Sequence, residues 1–206
     1  MANYTIVQAQ LPVAGLGGHN LLVIKDPNGK VIAEVDGLAT GANGIPKPMG
    51  YLPSDTLKFH SFTGAEYYRE SLHQTTLFSG TYTEVMQRWA AAKEAGERIN
   101  DKDLHYPFMG LGRNSNSVAS TLIKAMGLEE PKNTGPALIM PGKGVILLEP
   151  EKVQEIWQHN GVSPSGQQNQ SQSNTIFLQN GSIQVFGESL VNNKVISEEL
   201  LAKVLG

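Results

Sequence analysis

The sequence predicts an α+β fold in which an antiparallel sheet packs against helices. Three observations carry this. Two apolar, β-branched runs, His19–Lys25 and Val31–Asp36, flank Asp26-Pro27-Asn28-Gly29-Lys30, where proline pre-sets the first turn position and glycine accepts a positive φ. The stretch Thr83–Ile99 places Val85, Trp89 and Ala92 on one stripe, with Met86, Ala90 and a late Ile99 beside it, opposite charged residues that include Arg88; that is an amphipathic helix. Thr56–Phe62 alternates apolar and polar residues as a half-buried strand does.

The remaining elements follow in order. Tyr4–Val13 reads as a first strand, broken by Gly15, Gly17 and Gly18. Gly37–Asp55 holds several glycines and prolines without a period and reads as a long loop, a length that in a compact domain is usually functional. Ala65–Gly80 is ambiguous, with Tyr67, Tyr68 and Leu72 able to form a short helix. Val118, Leu122 and Met126 mark a helix over 115–128 that stops at Gly127. Ala137–Met140 and Gly144–Leu148 read as short strands, and Pro150–His159 as a helix.

Residues 161–174 are polar and low in complexity and cannot bury enough apolar surface to order themselves. They divide the chain into a main domain, 1–160, and an appendage, 175–206. The appendage contains a hairpin over Thr175–Phe186 around Asn180-Gly181, the strongest two-residue turn signal in the chain. It ends in a helix over Ser197–Leu205.

Composition narrows the function classes. The 206 residues are 40% hydrophobic and 17% charged, enough for a sizeable core, and the net charge of −3 offers no basic footprint for nucleic acid. No apolar run reaches the ~20 residues a membrane helix requires. The N-terminus shows no basic region followed by an apolar run, so the expectation is synthesis in the cytoplasm, with any export using a route without a cleavable signal. There is no cysteine, which excludes disulfides, thiolate zinc sites and a cysteine nucleophile in this chain. His60, His73, His105 and His159 show no mutual metal-ligand spacing. Gly15–Gly18 and Gly110-Leu111-Gly112 fall short of phosphate and dinucleotide loops, so no cofactor or metal is expected.

Chemistry gathers at Asn114-Ser115-Asn116-Ser117, where a glycine-rich loop meets a helix. Backbone N–H groups and the helix dipole favour negative charge there, which assists a serine nucleophile and an adjacent oxyanion. The plain alternative is that Asn114 or Ser115 only caps the helix. His19 opens a strand after Gly17-Gly18. It could take a proton from Ser115 and return it to a leaving group, or simply bond a backbone carbonyl. Glu34 and Asp36 lie on the partner strand. A two-residue turn on Pro27-Asn28 sets Asp36 opposite His19, at about 5 Å between Cβ atoms; a three-residue turn with Gly29 as a bulge slips the register by one and sets Asp36 opposite Asn20. Asp36 is the candidate third member, a solvated strand-end carboxylate is its plain alternative, and His60 is a substitute.

Gly-His-Asn-Leu-Leu-Val-Ile on a hairpin strand, followed much later by Asn-Ser-Asn-Ser-Val-Ala at a helix start, resembles the circularly permuted papain-like hydrolases, which include NlpC-type peptidases and lecithin–retinol acyltransferase-like enzymes. The resemblance spans roughly residues 15–128, judged by where the motifs fall. It implies a permuted papain-like fold, with His19 matching the family histidine and Ser115 standing where a cysteine is usual. A hydroxyl is much harder to deprotonate than a thiol. Three explanations fit a serine there: a serine hydrolase, a cysteine enzyme with its nucleophile exchanged, or a fold kept for binding.

The activity implied is hydrolysis or transfer at an amide or ester carbonyl, on a peptide, peptidoglycan or lipid-ester substrate. Backbone N–H groups at the start of the 115–128 helix would hold the oxyanion, and the loop 37–55 would wall the cleft. The appended module also resembles the architecture of antibacterial effectors delivered by specialised secretion systems, which implies an immunity protein as partner. The alternatives are a non-catalytic binding module on the same fold and an adaptor acting through its C-terminal hairpin and helix.

Overall fold

The computed structural model describes residues 3–13, 17–47, 50–132, 135–164, 176–179 and 182–185. The chain divides into two units, residues 1–167 and 168–206. The first holds strands β1 (Tyr4–Val13), β2 (Gly17–Lys25), β3 (Val31–Thr40), β4 (Pro46–Lys47), β5 (Thr56–Thr63) and β6 (His73–Gly80), with helices α1 (Tyr82–Asn100), α2 (Ser115–Ala125) and α3 (Pro150–Asn160). It is an α+β arrangement built on a six-stranded antiparallel sheet. In the second unit β7 (Ile176–Gln179) pairs antiparallel with β8 (Ser182–Val185), Gln179 opposite Ser182. The Asn180-Gly181 turn, most of the polar stretch 161–174 and the expected helix Ser197–Leu205 lie outside the described residues. No described helix is long and apolar enough to cross a membrane.

The sheet is organised around β3. Along one edge, from Ala33 to Thr40, β3 pairs with β5. The other edge is shared: Val31–Val35 pair with β2, and Ala39–Thr40 pair with β4. Strand β2 meanwhile pairs with β1 over its whole length, Gly17 to Lys25. Strands β2 and β3 therefore part company after the Leu22–Val35 pair, leaving a gap between residues 19–21 of one and 36–38 of the other. The expected loop over 37–55 is in its first part this continuation of β3, which turns at Gly41–Ile45 and returns as β4.

The two faces of the sheet carry two cores. Ile6, Leu22, Ile24, Val35, Leu57 and Phe59 face the helices and pack with Trp89, Ile99, Leu122 and Ile156. Val7, Ala9, Leu21 and Val23 face the other way and are covered by Tyr67, Tyr68 and Leu72. The segment 65–72 is thus a cover for the second face and not a helix. It is pinned by Glu34, whose carboxylate accepts from the N–H groups of Glu66, Tyr67 and Tyr68 at 2.8, 2.9 and 3.1 Å. The following residues form β6, which supplies β1 with a second partner.

Helix α1 opens with a reciprocal cap. The Thr81 hydroxyl accepts from the Glu84 N–H, and the Glu84 carboxylate accepts from the Thr81 N–H. Its predicted stripe is buried as expected. Arg88, expected on the wet side, is also buried: its guanidinium lies over the Phe78 ring at 4.5 Å and donates to the Met126 carbonyl at the end of α2, where a cation complements the helix dipole. Gly96, a weak helix former, is there because a Cβ would lie 2.3 Å from the Phe59 ring.

The two strands expected at 137–140 and 144–148 do not form. Ile139 makes only an isolated bridge to Gly17. The Gly144 and Leu147 N–H groups are instead taken by the Ser120 and Thr121 hydroxyls of α2, so this segment hangs from the helix.

Gly37, beside the gap, faces α2 so closely that a Cβ would lie 2.5 Å from Val118 Cβ. Gly37→Ala should therefore cost about 1–3 kcal/mol through overpacking, read as a lower urea midpoint at unchanged slope. The same change in a Val118→Ala background should cost less. Equal penalties in both backgrounds would show that the two residues do not meet.

Candidate active site at the gap between two strands

The gap is flanked by two of the candidate residues. His19 lies on β2 and Asp36 on β3. Neither turn geometry anticipated from the sequence describes their register. The turn itself is the three-residue form, with Gly29 at φ 84° and Asp26 bonded to Lys30. A further irregularity between Ile24 and Lys25 slips the pairing by one more residue, to Leu22 opposite Val35. Continued into the gap, that register sets Asp36 opposite Leu21, one diagonal step from His19, a separation that side chains span.

The pair closes the gap. His19 Nε2 and Asp36 Oδ1 are 2.6 Å apart, and both side chains are almost wholly buried. Burial works to lower the His19 pKa. The charge of Asp36, the hydrogen bond to it and the charge of Glu34 outweigh that effect and leave it raised above 6.5. The second ring nitrogen, Nδ1, has no hydrogen-bond partner among the described residues. Asp36 is thus the carboxylate that holds His19, and Glu34 is committed to the 66–68 backbone. His60 pairs with Asp36 in register but gives its Nε2 to the Thr40 hydroxyl at 2.9 Å.

The N-terminus of α2 docks at the same gap. Asn114 is the cap: its Oδ1 accepts from the Asn116 N–H at 2.8 Å, and its own N–H donates to Ser117 Oγ. Ser115 is the first residue of the helix and is left free of the capping role. The segments on either side are tied to the cap, since Asn114 Nδ2 donates to the carbonyls of Gly110 and Pro141. The Asn116 side chain reaches β2, accepting from the Asn20 N–H and donating to the Gly18 carbonyl, both at 2.9 Å.

No hydrogen bond joins Ser115 to the His19–Asp36 pair, since His19 Nδ1 is unpartnered among the described residues and Nε2 is held by Asp36. The partner of Ser115 is Tyr106, which sequence reasoning did not single out. Burial raises the Tyr106 pKa, while interactions with the Ser115 side chain and backbone pull it down and the Asp36 charge adds to the rise. Its ring packs on Gly50, where a Cβ would lie 2.4 Å away, so the segment after β4 borders Ser115 through this tyrosine. The site is closed: His19, Asp36, Ser115 and Tyr106 are 3%, 1%, 5% and 6% exposed.

Around it the surface is apolar. Phe108 and Leu111, beside Gly110, and Leu138 and Ile139, beside Pro141, are each more than half exposed. No cluster of histidine and carboxylate side chains that could hold a metal is present among the described residues. Comparison with family models, curated proteins and solved structures finds no match for this chain.

The His19–Asp36 pair makes a signed prediction. A raised histidine pKa contributes stability that is fully present below the unfolded value and is lost as pH rises through the folded value. NMR titration of wild-type protein should show the His19 imidazolium persisting above pH 6.5. In Asp36→Asn its midpoint should fall, because burial remains while the countercharge is gone. A wild-type midpoint at or below 6.5 would remove the pairing from consideration.

Proposed function

We propose that the chain is a hydrolase acting on an ester or amide carbonyl, with Ser115 as nucleophile, His19 as general base and acid, and Asp36 orienting the histidine. One observation carries this reading: a buried His19–Asp36 pair leaves one imidazole nitrogen unpartnered at the gap where α2 docks, and the helix has in its first turn a serine spared the capping role.

The chemistry follows from that arrangement. Substrate displaces the Tyr106 hydroxyl from Ser115. Ser115 Oγ then attacks the carbonyl carbon as its proton passes to His19 Nδ1. The developing oxyanion is held at the start of α2, where the Ser115 N–H and the helix dipole favour negative charge. His19 returns the proton to the leaving alcohol or amine, and water deacylates the serine by the same route. The Asp36 carboxylate stabilises the imidazolium that forms between these steps. The permuted papain-like resemblance supports the same roles.

The apolar rim of Phe108, Leu111, Leu138 and Ile139 suits a substrate with an apolar body, which favours a lipid ester over a peptide or peptidoglycan stem. An antibacterial effector exported by a specialised secretion system, with an immunity protein as partner, remains the biological setting that the architecture resembles.

A second reading is favoured by a specific observation. Ser115 is 5% exposed and makes no hydrogen bond to His19, as a non-catalytic binding module on the same fold would have it. One experiment separates the two. Wild-type protein is incubated with nitrophenyl esters of increasing chain length and with a fluorophosphonate that labels nucleophilic serines. The hydrolase reading expects turnover that improves with chain length, single labelling at Ser115, and a loss on the order of 10³-fold or more in Ser115→Ala and His19→Ala. Undiminished turnover in Ser115→Ala would sink the nucleophile assignment, and absence of both turnover and labelling in the wild type would leave the binding module.

A further inference from the structure

We infer that Asn116 is a positioning residue that fixes Ser115 relative to His19, an inference that rests on the hydrolase reading above. Asn116 is the residue after Ser115, and its two partners on β2, Gly18 and Asn20, are the residues on either side of His19. One side chain therefore joins the backbone next to the nucleophile to the backbone on both flanks of the base.

The geometry explains why an asparagine does this. Where β3 leaves, β2 has an edge with an N–H to satisfy and a carbonyl to satisfy. A carboxamide offers an acceptor and a donor in one plane, as a neighbouring strand would. Asn116 Oδ1 accepts from the Asn20 N–H at 2.9 Å, and Asn116 Nδ2 donates to the Gly18 carbonyl at 2.9 Å. The remaining Nδ2 hydrogen goes to the Pro141 carbonyl at 3.1 Å. The side chain is 2% exposed. Its Oδ1 and both Nδ2 hydrogens are thus occupied, and no other common side chain supplies one acceptor and two donors at this length. Aspartate keeps the acceptor but turns its second oxygen against two carbonyl oxygens. Alanine leaves the β2 edge unsatisfied and the helix free to slide.

A purely structural stitch and a positioning residue differ in what they change. A stitch alters the folded fraction and leaves the chemistry of each folded molecule as it was. A positioning residue alters the covalent step itself. Fluorophosphonate labelling isolates that step: the Ser115 Oγ–phosphorus bond forms, the phosphorus–fluorine bond breaks, fluoride leaves and the hydroxyl proton goes to His19 Nδ1.

The expected result is that Asn116→Ala and Asn116→Asp, corrected for folded fraction, lower the limiting labelling rate on the order of 10²-fold, the scale of a misplacement of about 1 Å. The concentration giving half-maximal rate should change little. Folded variants that label at the wild-type rate overturn the positioning role while leaving Ser115 as nucleophile. A wild type that does not label at Ser115 takes down the hydrolase reading and this inference together. Should neither variant fold, amide exchange of Asn20 in the wild type decides: protection comparable to the β1–β2 ladder supports the bond to Asn116, and exchange at the rate of an open chain overturns it.

Discussion

The parting of β2 from β3 after the Leu22–Val35 pair is the constraint from which the rest of this structure follows. A strand that loses its neighbour inside a protein leaves N–H and C=O groups that need partners. Here the partners come from a helix terminus, which has unsatisfied groups of its own. The two deficits meet at one point. The α2 N-terminus is satisfied from within by Asn114, and the β2 edge is satisfied across the gap by Asn116. Ser115, between them in sequence, is the residue that neither task consumes.

The electrostatics of the gap follow from the same opening. An imidazole and a carboxylate are brought to 2.6 Å within the interior, where desolvation would discourage charge on either side chain alone. Their mutual attraction reverses the effect for the histidine. This bears on the proposal that a serine is the nucleophile. A thiol ionises readily and tolerates a weak base, whereas a hydroxyl requires a stronger one. Raising the histidine pKa strengthens the base, at the expense of the fraction that is neutral at a given pH. An aspartate at short range is the direct way to make that exchange.

Much of the fold was legible because it depends on local pattern. The hairpin turn, the alternating strand β5 and the stripe of α1 all follow from spacing, and β1 coincides with its predicted span. What sequence did not reveal depends on residues far apart. The Ile24/Lys25 irregularity that fixes the β2–β3 register has no signature in the turn. Arg88 reads as a solvated charge until the end of α2 is placed beside it. At the site, His19, Asp36 and Ser115 were visible as residue types with suitable chemistry, and the structure bonds the first two. Asn116 was visible only as one member of a polar cluster, because its partners lie 96 and 98 residues away. Tyr106 was hidden for the same reason: nothing near it in sequence distinguishes an aromatic that fills a core from one whose hydroxyl reaches a serine.

The polar residues of α2 show which parts of the site are held in place. Ser117, Ser120 and Thr121 are all buried, an expensive choice for a helix in the core of a sheet-and-helix fold. Each is committed. Ser117 donates to the Gly142 carbonyl, Ser120 bonds Glu130 and accepts from Gly144, and Thr121 accepts from Leu147. These bonds fix the 142–147 segment to the helix as firmly as Asn116 fixes the helix to β2. A closed site framed this way does not open by moving α2, since that would break the β2 edge, the cap and the segment beyond it together. The neighbouring segments are tied as well: the Ala137 N–H donates to Gln10, the Ile139 carbonyl accepts from Gly18, and the carbonyls of Gly110 and Pro141 accept from Asn114. The Tyr106 side chain, which bonds Ser115, is thus the piece whose displacement uncovers the serine, while the helix and the His19–Asp36 pair stay where the gap has put them.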